Sequence, residues 1–242
     1  MILALFLFLL PDDSIAPILK RNFDSFLIST GSGQITSRSW LDADMPVPIG
    51  SLIKPFTALA YAKQFGSPFP KVNCDGSTCW RSSGHGLLDF PHAMAVSCNT
   101  YFRRLADRLN PSEFAVVLDS FGIPATSAML SRDARIGIGG DLGVAPTALL
   151  KAYAMLMQRQ DKDIVEGLRF AGTIGTGKHW KGRVLVKTGT ASCKKDEGDG
   201  FAFVAYPALN PRTLILVRNH RQTGAATAGK LASVLGPLWG IR

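Results

Sequence analysis

Three strand-like segments near the C-terminus, Arg183–Thr190, Phe201–Tyr206 and Thr213–Arg218, are joined by connections short enough to require antiparallel neighbours. A helical segment from about Ala225 to Leu235 closes the chain. At the other end, Phe23 to Trp40 reads as a hairpin: the apolar run Phe26-Leu27-Ile28, then Gly31-Ser32-Gly33, then a second strand. Between the two lies a block of helices. The positions Leu52, Phe56, Leu59 and Ala60 recur at helical spacing from Ser51 to about Phe65, and Ser97–Leu109 and Pro111–Phe121 read as two more helices. Pro146 opens another that runs through Leu149, Leu150, Tyr153 and Met157. Residues 66–95, rich in Gly, Ser and Cys, read as irregular. The order predicts an α+β fold. An antiparallel sheet of about five strands, including the N-terminal hairpin, packs with helices, and an all-helical lobe leaves an active site at the seam.

A length of 242 residues suits one domain with two lobes, expected over residues 17–242, and no internal repeat or linker divides it. Residues 1–10, MILALFLFLL, are too short an apolar run to span a bilayer, which needs roughly 20 residues. With the small residues around Ser14 and Ala16 they fit an export signal over residues 1–16, although no Lys or Arg precedes them. The expected location is therefore the periplasm or the extracytoplasmic face of the membrane. The formal charge of +9 is scattered over Lys178, Lys181 and Arg183, then Lys194 and Lys195, then Arg218 and Arg221. That scatter fits solvated faces or attraction to an anionic cell-wall or membrane surface. It does not fit nucleic-acid binding, because no basic run is interleaved with aromatics.

Three short motifs occur in an informative order: Ser51-Leu52-Ile53-Lys54 at the start of a buried helix, Ser97-Cys98-Asn99 at the start of a later helix, and Lys187-Thr188-Gly189 on a strand. A serine hydroxyl is a weak nucleophile and needs a base. Residues three apart on a helix share a face, so Lys54 can reach Ser51. Burial and a neighbouring Lys187 would lower the Lys54 pKa and let it take the proton. Ser97 can relay that proton to a leaving amine, and Asn99 can hydrogen-bond a substrate amide. Lys187 and Thr188 suit a carboxylate, and Gly189 admits a substrate backbone. The N–H groups of Ser51 and Thr190 are placed to form an oxyanion hole. Each triplet alone is common; their occurrence together, in this order, is specific.

The stretches PIGSLIKPFTALAYA, GHGLLDFPHAMAVSCNTYFRRLADRL, IGIGGDLGVAPTALLKAYAML and VKTGTASCKKDEGDGFAFVAY together resemble the transpeptidase domain of penicillin-binding proteins, from roughly Phe23 onward. The Gly84-His85-Gly86 stretch looks closest to elongation-type class B members, whose long N-terminal pedestal this sequence lacks. The resemblance implies the fold shared with serine β-lactamases, and D,D-transpeptidase or D,D-carboxypeptidase activity on D-Ala-D-Ala stem peptides of peptidoglycan. It further implies an acyl-enzyme on Ser51, β-lactams as covalent inhibitors, a cell-wall or membrane-complex partner, and no cofactor in catalysis. A β-lactamase, or a β-lactam-binding sensor without turnover, shares the same motifs.

Cys74, Cys79, His85 and Cys98 follow the pattern Cys-x4-Cys-x5-His-x12-Cys, a set able to hold a structural zinc. The resemblance favours zinc, since some elongation-type relatives carry a site here with carboxylates in place of the first cysteines. In an oxidising compartment the alternatives are a Cys74–Cys79 disulfide with Cys98 buried, or unlinked thiols. Cys193 is expected to be a free thiol. Gly137-Ile138-Gly139-Gly140 is a turn rather than a nucleotide loop, because GxGxxG fails at Leu142. Glu166 reads as a solvated helix carboxylate. His92, His179 and His220 have no obvious acidic or serine partners, and no G-x-S-x-G is present. Trp80, Trp180 and Trp239 read as packing residues, with Trp180 the one able to line a substrate site.

Overall fold

The computed structural model describes residues 12–126, 130–139, 142–192 and 198–241. The apolar run 1–10, Lys194, Lys195 and Cys193 lie outside the described residues. No helix among the described residues is long and apolar enough to cross a membrane.

Helix α1 (Asp12–Asn22) leads into the hairpin β1 (Ser25–Thr30) and β2 (Ile35–Ser39). A two-residue strand β3 (Val47–Pro48) and a 3-10 turn at Gly50–Ile53 run directly into α2 (Lys54–Phe65). The short strands β4 (Val72–Cys74) and β5 (Gly86–Leu88) pair with each other, and α3 (Phe90–Ala95), α4 (Asn99–Ala106) and α5 (Pro111–Ser120) follow. Then come β6 (Gly143–Val144), which pairs with β3, and the helices α6 (Pro146–Arg159) and α7 (Lys162–Thr173). The chain ends in β7 (Leu185–Ser192), β8 (Gly198–Tyr206), β9 (Thr213–Asn219) and α8 (Gly224–Leu235). The main sheet has the order β2-β1-β9-β8-β7, antiparallel throughout, so the N-terminal hairpin joins the C-terminal strands through β1 and β9.

Side chains alternate across this sheet with the period of two that a pleated strand imposes. Phe26, Ile28, Val186, Ala202, Val204, Ile215 and Val217 face α1 and α8, meeting Ile15, Leu19, Leu231 and Leu235. Leu27, Leu185, Phe201, Phe203, Leu214 and Leu216 face the helical lobe. There Tyr153 of α6 stacks on Phe203 with ring centroids 4.0 Å apart, and its other side meets the edge of Phe56 of α2 at 5.5 Å. A fully buried ring of this kind is worth about 3–5 kcal/mol against alanine. This packing sets α2, and with it the turn carrying Ser51, against β7.

Several features differ from the sequence expectation. Helix α1 overlaps the segment read as an export signal and buries Ile15 and Leu19 against the sheet. His92 and His220, read as without acidic partners, meet Asp89 at 2.6 Å and Asp199 at 2.7 Å. The irregular stretch 66–95 contains the β4–β5 hairpin and α3, whose start is capped by Asp89 accepting the His92 N–H at 3.1 Å. The helix expected from Ser97 begins at Asn99 instead. Ser97 sits in the tight connection between α3 and α4 with φ +54°, held by its N–H to Met94 O at 3.1 Å. A left-handed non-glycine residue is uncommon and collects at functional sites.

Candidate active site

The Ser51 turn is pinned by close backbone approaches that only glycine permits. Gly50 has φ +57°, and a Cβ there would lie 2.4 Å from Thr190 O. A Cβ at Gly189 would lie 2.5 Å from Ile49 O, and one at Gly137 only 1.9 Å from Gly50 O. The turn is thus pressed between β7 and the short 3-10 turn Ala134–Ile136. Tyr153 donates from its hydroxyl to Leu52 O at 2.7 Å, and Thr57 donates to Arg135 O at 2.5 Å, which fixes the first turn of α2. Gly50→Ala is expected to cost about 1–3 kcal/mol from the backbone angle alone. It should also push Ser51 away from Thr190, lowering the rate at which Ser51 is acylated, followed by intact mass, at least about tenfold.

The helical spacing leaves Lys54 fully buried directly behind the Ser51 turn. Its Nζ donates to Ser97 O at 2.8 Å, Asn99 Oδ1 at 2.7 Å and Ser97 Oγ at 3.3 Å. From the sheet side Lys187, also fully buried, donates to the same Ser97 Oγ at 2.9 Å and to Thr188 O at 2.8 Å. One serine hydroxyl therefore bridges two buried amines contributed by a helix and a strand far apart in sequence. Burial lowers the Lys54 pKa to about 7, Arg103 adding to the shift and Cys98 and Cys79 opposing it. Burial and the Lys54 charge hold Lys187 well below the usual lysine range. Two adjacent ammonium groups out of water are disfavoured, so at neutral pH the pair readily gives up a proton.

Ser51 is half-buried and opens on a cleft of about 700 Å³. Ser97, Asn99, Thr188, Gly189 and Thr190 also line it, while Lys54 and Lys187 lie beneath its floor. Lys187 accordingly reaches the cleft through Ser97 and Thr188, rather than presenting its charge to a carboxylate directly. The Thr188 hydroxyl donates to Thr176 Oγ1 at 2.7 Å, and Thr190 Oγ1 accepts the Gly224 N–H at 2.9 Å, tying β7 to the start of α8. Lys54 makes its hydrogen bonds to Ser97 and Asn99, and the Ser51 hydroxyl has no partner among the described residues. Catalytic hydrogen bonds are often loose until substrate is bound.

Several cleft residues were not singled out from sequence. Arg103 lies one helical turn beyond Asn99, so the i, i+4 rule places it on the same face. It holds Asp133 through Nε at 3.0 Å and Nη2 at 3.2 Å, donates to Thr78 O, and lines the cleft. Thr176 lines it too, its N–H bound to Ala95 O at 3.1 Å. Among the tryptophans the packing expectation holds for Trp180 and Trp239 and fails for Trp80. Trp180 is buried against Trp239, whereas Trp80, 58% exposed, forms part of the cleft wall. Glu166 is exposed on α7 and does not line the cleft, as its sequence context implies.

Beside the cleft, the donor atoms of Cys74, Cys79, His85 and Cys98 all lie within 4.8 Å of one another. Cys74 Sγ and Cys79 Sγ are 3.6 Å and 3.5 Å from His85 Nδ1, and Cys79 Sγ is 3.8 Å from Cys98 Sγ. Zn–S bonds of about 2.3 Å and Zn–N bonds of about 2.0–2.1 Å in a tetrahedron give edges of about 3.8 Å (S–S) and 3.6 Å (S–N). The three spacings above match these edges, and the other pairs lie within 4.8 Å. The three cysteines are free, so the Cys74–Cys79 disulfide is not formed. Burial lowers the His85 pKa, with Arg81 and Lys54 adding to it, which keeps the imidazole neutral as a metal ligand must be. Burial raises the Cys79 thiol, but the N–H groups of Arg81, Thr100 and Asn99 more than offset this and bring it to about 7. The loop reaches this shape through Gly76 and Gly84: a Cβ at Gly84 would lie 2.2 Å from Cys74 O.

The penicillin binding protein transpeptidase domain model matches residues 41–236. The chain belongs to this family. Similar structures include PBP2 of Pseudomonas aeruginosa in complex with WCK 5153, with a TM-score of 0.78 and 15% identity over 93% of this chain and 76% of that one. The transpeptidase domain of FtsI4 D,D-transpeptidase from Legionella pneumophila has a TM-score of 0.69 and 21% identity over 95% and 94%. PBP2 from Helicobacter pylori, solved in complex with MreC, has a TM-score of 0.75 and 12% identity over 93% of this chain and 62% of that one. No curated protein matches the chain significantly. Identities this low establish the shared fold, an α+β domain built on the five-stranded sheet. In this chain the two-lysine bridge at Ser97 sits where the Ser51 cleft meets that sheet.

Proposed function

We propose that the protein is a D,D-transpeptidase or D,D-carboxypeptidase acting on D-Ala-D-Ala stem peptides of peptidoglycan at the extracytoplasmic face of the membrane, through an acyl-enzyme on Ser51. The observation that carries this reading is the Ser97 hydroxyl held between the buried amines of Lys54 and Lys187, beneath a cleft onto which Ser51 opens.

The proton inventory follows from that arrangement. Neutral Lys54 takes the Ser51 proton as the oxygen attacks the D-Ala carbonyl. The developing oxyanion is met by the Ser51 and Thr190 N–H groups, each such donor being worth on the order of 100-fold in rate. As the C–N bond breaks, Ser97 passes a proton to the leaving amine and is reprotonated from the lysine pair. Thr188 and Thr190 face the peptide carboxylate, Lys187 positions Thr188 and Ser97, and Asn99 orients the substrate amide. An amine or water then resolves the ester. No cofactor enters these steps. The Cys74, Cys79, His85 and Cys98 set is read as a structural zinc site, since four protein ligands leave no open position.

Among the described residues no carboxylate lines the cleft, which leaves no dedicated base beside the Lys54–Ser97 relay to speed attack of water on the acyl-enzyme. This favours a penicillin-binding enzyme over a β-lactamase. Nitrocefin is expected to give one stoichiometric burst with no sustained turnover, and fast multiple turnover would overturn the reading. D-Ala release from a stem-peptide analogue with an acceptor amine separates an enzyme from a sensor. The burst rate should rise with pH, with its midpoint near 7. The reactive form of Lys54 is the neutral amine, whose pKa is lowered to about 7, so protonation below that value removes the base. A rate flat from pH 5 to about 9 would exclude Lys54 as that base.

A further inference from the structure

Three of the basic residues that make up the charge excess meet at one place that the catalytic reading does not use. Where the end of α1 meets the β9–α8 turn lies a second cavity of about 510 Å³, lined by Lys20 and Arg21 from one side and Lys230 from the other. These three cations have no ion-pair partner among the described residues. The Lys230 ammonium is held 5.3 Å above the Phe23 ring, which orients it without neutralising it. Asp24, the carboxylate that lines the cavity, already accepts the His220 N–H at 2.6 Å. Asp199 beside it accepts from His220 Nδ1 at 2.7 Å and lies 3.8 Å from Arg218.

We propose that this cavity is an anion site for a phosphate ester, distinct from the catalytic cleft. Basic residues in a helix's last turn are favourable by themselves, and that accounts for Lys20 and Arg21 on α1. It does not account for Lys230, on a different helix and facing the same space. Three unpaired cations around one concave volume repel one another, and a bound phosphate relieves that repulsion. The volume falls in the range of small-ligand sites and accommodates a diphosphate or a phospholipid headgroup. The two cavities share a wall. Thr223 and Ala225 line the catalytic cleft, whereas Gln222 and Ala226 line this one, so a phosphate held here sits one turn of chain from the cleft.

The test compares the parent with the triple variant Lys20→Gln/Arg21→Gln/Lys230→Gln, and with a charge-matched control, Lys63→Gln/Lys151→Gln/Lys162→Gln. Each is titrated at low salt with inorganic pyrophosphate and with vesicles of phosphatidylcholine containing about one-third phosphatidylglycerol. Pure phosphatidylcholine vesicles set the baseline. The triple variant should lose at least about tenfold in affinity, while the control keeps it. Labelling by a fluorescent penicillin, unchanged in both variants, shows that the fold and the cleft are intact. Binding of pyrophosphate identifies a soluble phosphate as sufficient, and binding of the anionic vesicles alone identifies a lipid headgroup as the source. No binding of either probe to the parent, retained binding in the triple variant, or equal loss in both variants would overturn the site.

Discussion

Replacing Ser51 with alanine is expected to leave a folded protein that forms no adduct with penicillin, while the parent gains one penicillin equivalent in intact mass. The substitution removes a half-buried hydroxyl that makes no hydrogen bond among the described residues, so its structural cost is small. The turn's shape is set elsewhere, by Gly50 against Thr190 and by the Tyr153 hydroxyl on Leu52 O, and both survive the change. The chemistry does not survive, because no other hydroxyl occupies the same place. Ser97 lines the cleft as well, but its oxygen is hydrogen-bonded by both buried lysines and sits beyond the α3 turn. Loss of a nucleophile of this kind typically costs 10⁴-fold or more in rate. Thermal melting of Ser51→Ala should stay within about 0.5 kcal/mol of the parent. A variant that still acquires the adduct would show that another residue is the nucleophile, and the assignment of the cleft would fall with it.

The parts of this site that were legible in sequence share a property: each is fixed by local geometry. Ser51 and Lys54 are three residues apart, so a helical turn brings them to one face wherever it packs. Lys187, Thr188 and Gly189 lie on a strand whose alternation decides which side chains point down and which backbone stays open. The sheet was legible for a similar reason, since short connections leave antiparallel pairing as the available choice. What the sequence hid depends on tertiary contact. The bridge at Ser97 exists because α3 ends where β7 passes, and α3, only six residues long, is too short for helical periodicity to register. Its Asp89 cap and Pro91 were visible signals all the same. Strands β4 and β5, three residues each, fall below any pattern test. Arg103 carried a usable signal in its spacing from Asn99, but Trp80 did not. An aromatic beside a cysteine in a glycine-rich loop reads as packing until the loop's fold turns it toward the cleft.

That fold is where the second large effect is expected. Purified protein should carry one zinc per chain, and Cys98→Ser should abolish it. Serine at this position is a favourable informative change because Cys98 also caps α4, its Sγ accepting the Tyr101 N–H at 3.5 Å. Serine is a better N-cap than most residues, so the helix start is preserved and the loss reports on the metal. Burial pushes the Cys98 thiol up to about 12, so deprotonating it at neutral pH takes part of the metal's binding free energy; the rest stabilises the fold, because the four ligands meet only in the folded chain. In small zinc domains such sites supply about 10–16 kcal/mol; in a domain with its own core a loss of more than about 3 kcal/mol is expected. For a domain of 242 residues that corresponds to a fall in Tm of about 6–12 °C. Activity should fall too, because the loop from Cys74 to His85 supplies Ser77, Thr78 and Trp80 to the cleft wall. Trp80 is held there by its Nε1–H on Val96 O at 3.2 Å and by its edge contact with the His85 ring at 5.2 Å. A disulfide would give the opposite pattern: no zinc, a mass lower by two hydrogens, and a Tm that drops with reductant rather than with chelator. Either of the first two results would remove the metal from this account, while leaving Ser51, Lys54 and Lys187 where they stand.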